Sequence, residues 1–105
     1  MNYEISLTAE ARHDLVRMPP PVGNYCKQIL LRDLAANPAE LSRPSGFPYR
    51  EKCQKFTLNC SHDGDRWEIC VLFQYSQDET TIFIIQVCFS RLDRDTESEE
   101  HFPEV

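Results

Sequence analysis

Hydrophobic and polar positions alternate most clearly between residues 66 and 89. In 66–75, Trp67, Ile69, Val71, Phe73 and Tyr75 share one side of an extended chain, while Glu68, Cys70, Leu72 and Gln74 share the other, because successive strand side chains point to opposite faces. A polar break at 76–80 separates this run from a second, 81–89. There Phe83, Ile85, Val87 and Phe89 oppose Ile82, Ile84, Gln86 and Cys88. β-Branched and aromatic runs around a short polar break predict a β-hairpin. Its buried face centres on Val71, Phe73, Ile85 and Val87.

The same reading extends to the rest of the chain. Residues 3–7 (Tyr-Glu-Ile-Ser-Leu) alternate and predict a first strand. Thr8 is a suitable N-cap for a helix with Glu10 in its first turn and Ala11, Leu15 and Met18 on one face. Pro19, Pro20 and Pro21 end that helix and can open a second, whose stripe is Val22, Cys26, Ile29, Leu30 and Leu34. Asn37-Pro38 stops it. Residues 37–49, with Pro38, Pro44, Gly46 and Pro48, have no sustained period and predict a loop pinned by Phe47 and Tyr49. Residues 53–60 predict a strand with Phe56, Leu58 and Cys60 on one face, and 61–65 (Ser-His-Asp-Gly-Asp) a turn.

The implied fold class is α+β: a single domain over 1–92, in the order β-α-α-β-β-β, with an antiparallel sheet and the helix pair packed on one of its faces. The opposite face, carrying Lys55, Thr57, Asn59, Glu68, Cys70, Gln74, Gln86 and Cys88, is then a half-polar floor and the place to look for function.

Composition sharpens this picture at three points. With 105 residues, 41% hydrophobic, the chain supports one core. The net charge of −6 is concentrated at the C-terminus. Asp93, Asp95, Glu97, Glu99, Glu100 and Glu104 against Arg94 give 92–105 a charge of −5, so 93–105 reads as a flexible acidic tail on a nearly neutral body. Five cysteines in a chain without a signal-peptide pattern or membrane-length apolar run suggest a soluble, cytoplasmic protein with reduced thiols. Cys53, Cys60, His62 and Cys70 lack the close pair of a structural zinc site, and read as small hydrophobes and a turn residue. Neither a metal nor a cofactor is expected.

Four segments, in order, resemble the RelE/ParE superfamily of bacterial toxins. They are 3–11 (Tyr-Glu-Ile-Ser-Leu-Thr-Ala-Glu-Ala) with Asp14-Leu15, 34–38 (Leu-Ala-Ala-Asn-Pro), 71–75 (Val-Leu-Phe-Gln-Tyr) and 82–87 (Ile-Phe-Ile-Ile-Gln-Val). The likeness spans 3–92, and the short helical pair is more similar to the RelE branch. It implies the toxin component of a type II toxin-antitoxin system, a ribosome-dependent mRNA endonuclease held by a cognate antitoxin, with the ribosome and mRNA as further partners and no membrane. Two alternatives stand beside it: a gyrase inhibitor of the ParE type, and a catalytically degenerate protein-binding module.

RNA cleavage of this kind is in-line attack of a 2′-OH on the adjacent phosphate, which requires cations on the phosphorane and proton transfer at both oxygens. The resemblance brings the family's strand lysine onto Lys55, with Thr57 at the second such position. It brings the hairpin arginine onto Cys70, with Arg66 four residues earlier, and the late arginine onto Ser90, with Arg91 next in sequence. The family's late tyrosine has no counterpart. Lys55, Arg66 and Arg91 are therefore the candidate catalytic residues, and Arg50, Lys52 and His62 the candidate RNA-binding ones. Each has a plainer reading as solvated surface. Trp67 and Tyr75 read as core.

Overall fold

In the computed structural model, which describes residues 2–44, 53–92 and 103–105, a five-stranded sheet backs two helices. The elements are β1 (Glu4–Leu7), α1 (Ala9–Arg17), α2 (Pro20–Ile29) with a π-helical extension (Leu30–Leu34), α3 (Pro38–Leu41), β2 (Arg43–Pro44), β3 (Gln54–His62), β4 (Asp65–Tyr75) and β5 (Thr81–Leu92). The strand order is β1-β5-β4-β3-β2. β2, β3, β4 and β5 are antiparallel neighbours, but β1 lies parallel to β5, pairing Glu4 with Thr81 through Leu7 with Ile84. The sheet is therefore mixed. Strand alternation alone carries no information about a strand's partner or direction.

Each helix follows its stripe. Thr8 caps α1 by accepting the Ala11 amide at 3.1 Å, and Ala11, Leu15 and Met18 are buried. Pro20 occupies the first turn of α2, where its missing N–H has no intrahelical role. Val22, Cys26, Ile29, Leu30 and Leu34 are buried too. At Gly23 the two helices meet so closely that a Cβ would lie 2.8 Å from the Leu15 carbonyl oxygen. The end of α2 widens into a π turn closed by the Ala35 amide on the Leu30 carbonyl. This brings the Ala35 carbonyl to the Tyr3 amide at 2.9 Å, where it fastens the entry to β1.

β5 departs from simple alternation. Leu72 pairs with Gln86 but Phe73 with Ile84, so Ile85 is an extra residue in the ladder. Such a bulge shifts the side-chain phase by one. Ile82 and Ile84 before it and Val87 after it face the helices, whereas Phe83 is exposed and Ile85 half-buried. The expected core positions Phe83 and Ile85 are thus replaced by Ile82 and Ile84. The bulge is held from the helix side. The Thr8 amide donates to the Ile84 carbonyl at 3.1 Å, and the Thr8 hydroxyl to the Ile85 carbonyl at 2.9 Å. Further along, the buried carboxylate of Asp14 accepts the Val87 amide at 3.0 Å.

Two smaller corrections concern the connections. The segment after Asn37 was expected to be a loop, yet it contains α3 and the two-residue β2. The turn expected at 61–65 contracts to Asp63 and Gly64, with φ of 52° and 84°, and β3 continues through His62. Positive φ at both central residues matches the right-handed twist of the flanking strands. Phe47, Tyr49 and most of the acidic segment lie outside the described residues. At its end, the Ser61 amide donates to Pro103 and the Val105 amide to Ser61, both at 2.8 Å, and Val105 packs against the core.

Candidate functional site

The face of the sheet away from the helices is ordered in rows by the strand register. Ser61, Arg66 and Leu92 form one row, then Asn59, Glu68 and Ser90, then Thr57, Cys70 and Cys88, and finally Lys55, Leu72 and Gln86. These side chains share a face because their strand neighbours Phe56, Leu58, Trp67, Ile69 and Val71 are committed to the core.

The candidate cations do not converge. Lys55 and Arg66 share this face, but six residues of β3 separate Lys55 from Ser61, the partner of Arg66. At strand rise that is about 20 Å, too far for both to act on one phosphate. Arg91 pairs with Trp67 and so leaves the sheet on the helix side, where its Nε lies 3.6 Å from Asp65. His62 ends β3 with Nδ1 2.8 Å from the Val105 oxygen, so one ring nitrogen is engaged within the chain. Arg50 and Lys52 lie outside the described residues.

The register supplies a cation absent from the candidates read in sequence. Arg43 of β2 stands opposite Lys55, and facing residues of an antiparallel pair project to the same side. A two-residue strand ending in proline, inside a proline-rich stretch, leaves no alternation to read. Pro44 is compatible with an edge strand, but composition gives no further indication of pairing.

Cys70 and Cys88 face each other near the middle of the floor, both half-buried free thiols. Burial raises the Cys70 thiol pKa, and the nearby Lys55 ammonium offsets part of that rise. Burial also raises Cys88, with Asp14 and Glu10 adding to it. On the helix side, burial and then Cys60 push Cys26 up to about 12. Each shift is in the direction that favours the protonated thiol. Among the described residues no three potential metal ligands cluster, and no helix is long and apolar enough to cross a membrane.

This arrangement of a helix pair, a closing hairpin and an N-terminal strand parallel to the last strand is a RelE-like fold, the fold of toxin components of toxin-antitoxin pairs. No family model matches the sequence, and no curated protein does. Solved structures do. A chain of the RelBE2 toxin-antitoxin complex from Mycobacterium tuberculosis aligns with a TM-score of 0.66 at 21% identity, covering 83% of this chain and 96% of that one. A free E. coli RelE mutant gives 0.59 at 19% identity, covering 83% and 82%. The intact E. coli RelBE complex gives 0.58 at 20% identity, covering 81% and 93%.

Proposed function

We propose that this protein is the toxin of a type II toxin-antitoxin pair, and that it cleaves messenger RNA on the ribosome while a cognate antitoxin restrains it. The fold supports the toxin class, since its solved neighbours include toxin-antitoxin complexes. The observation that carries the RNA-directed part is Lys55, a cation on the open face beside a second cation. In this reading the 2′-OH loses its proton as its oxygen bonds to phosphorus, and the 5′-oxygen departs with a proton. The products are a 2′,3′-cyclic phosphate and a 5′-hydroxyl. Lys55 stabilises the charge that builds on the non-bridging oxygens, an interaction stronger in the transition state than in the bound substrate.

The test is purified protein added to translating ribosomes. Messenger RNA cut within the ribosome is expected, with Lys55→Ala lowering the rate by about 10²-fold or more. Intact messenger RNA, together with unchanged growth on induced expression, would sink the proposal. A second reading, a protein-binding module on the same fold, draws on Cys70, Cys88 and Ser90 occupying the floor where nuclease chemistry calls for cations.

A further inference from the structure

We propose that Cys70 and Cys88 form a dithiol site on the open face, which small disulfides oxidise reversibly to an intrachain bridge. The site is independent of the RNA-directed reading above. The first ground is register. The two cysteines are direct partners across β4 and β5, and facing residues of an antiparallel pair project to the same side of the sheet. Their Cα atoms then lie about 4.5–5.5 Å apart, inside the roughly 4.4–6.8 Å that a disulfide spans. Their Cβ atoms must close by about 1 Å to reach disulfide spacing.

The second ground is where the pair lies. β1 pairs with β5 only from Thr81 to Ile84, so among the described strands the Cys88 segment has a neighbour on the β4 side alone. A strand paired on one side can shift toward its partner without breaking a second ladder. Both thiols are half-buried, so one side of each is open to a small reagent. The other three are not: Cys26, Cys53 and Cys60 are 0%, 3% and 0% exposed. Oxidation of the folded protein is thereby confined to the facing pair.

The third ground is the asymmetry between the two thiols. Burial disfavours the Cys70 thiolate, the Lys55 ammonium favours it, and the neighbouring Cys88 sulfur opposes it again. The influences on Cys88 are burial and then the carboxylates of Asp14 and Glu10, all of which disfavour its thiolate. Since the thiolate is the nucleophile, Cys70 attacks first. Its sulfur bonds to one sulfur of the small disulfide, the reagent's S–S bond breaks, and the departing thiolate takes up the proton that Cys70 lost. The Cys88 thiolate then attacks the Cys70 sulfur and closes the bridge, and the second small thiol leaves with the Cys88 proton. Two electrons and two protons have passed to the reagent, which ends as two thiols. A bridge that must draw two strands together carries strain, and strained bridges are the readily reduced ones. Excess thiol therefore reverses the sequence. The bridge occupies the row of the floor next to that of Lys55.

Glutathione disulfide, mixed with reduced glutathione over a range of ratios, tests the site on the full chain under native conditions. Free thiols are afterwards blocked with iodoacetamide in urea, and the protein is cut after glutamate, which leaves Cys70 in 69–79 and Cys88 in 80–97. The expected product is one species joining these two peptides, lighter than their sum by two hydrogens and divided by a reductant. Cys26, Cys53 and Cys60 should all carry the block. Cys88→Ser should stop at a mixed disulfide between Cys70 and glutathione, because no second thiol faces it. Excess reduced glutathione should return the wild-type bridge to two free thiols. Five blocked thiols at every ratio would overturn the site, as would a bridge to another cysteine or to a second chain. A bridge formed only when the oxidant is added in urea would overturn it too, since the folded register would then play no part. A bridge left closed by excess glutathione would be a fixed staple, which contradicts a reversible site.

Discussion

The two faces of the sheet are built on opposite principles. On the helix side, geometry is specified more than once. The bulge at Ile85 turns Ile82, Ile84 and Val87 inward together, Thr8 holds both bulge carbonyls, and Asp14 takes the Val87 amide. On the open side, Arg43 and Lys55 face each other across β2 and β3, and two thiols occupy the centre. The covered face concentrates burial and buried hydrogen bonds, and the open face sets two like charges opposite each other.

That contrast can be broken by substitution. Phe73 is fully buried and packs edge-on to Tyr75 at 5.7 Å. Phe73→Ala should destabilise the protein by about 3–5 kcal/mol, measured by urea unfolding. A loss below about 1.5 kcal/mol would mean that the covered face repacks freely.

Asp14→Ala comes next. It strips the acceptor from the Val87 amide beneath α1 and should lower stability by about 2 kcal/mol, with Asp14→Asn recovering part of the loss because an amide oxygen can still accept. Equal losses in the two variants would show that the hydrogen bond to Val87 contributes little. The smallest effect belongs to the open face. Lys55→Gln should change stability by less than about 0.5 kcal/mol, in the stabilising direction, because it removes a like charge opposite Arg43. A clear loss would give Lys55 a structural role and remove the contrast.

The degree to which the chain could be read in advance follows the same division. β3 and β4 were legible because polar residues mark every second position: Thr57, Asn59 and Glu68 interrupt the apolar run and fix its phase. In 82–85, Ile-Phe-Ile-Ile, all four residues are apolar, so either phase fits. The bulge that decides between them depends on Thr8, which is remote in sequence. The π extension hid for a related reason, since Leu30, Leu34 and Ala35 are apolar on any helical geometry. α3 and β2 are shorter than one hydrophobic period, and Arg43 was hidden with them. Lys55 could be placed on the open face from alternation alone. Its separation from Arg66, and the departure of Arg91 to the other side, follow from cross-strand register, which one strand's composition does not encode.

The parallel pairing of β1 with β5 has a consequence for the order in which the protein forms. Thr8 and its bulge partner Ile85 are 77 positions apart in the chain. As a ribosome releases this sequence from the N-terminus, β1 and the cap of α1 emerge long before the strand that receives them. Contacts of such separation form late and slowly, so the stripes of α1 and α2 must wait for their wall. A chain terminated before residue 81 would lack β5 altogether, and with it both the seat of β1 and the acceptors for Thr8. Interrupted synthesis should therefore yield a fragment prone to aggregation or proteolysis rather than a partly working protein.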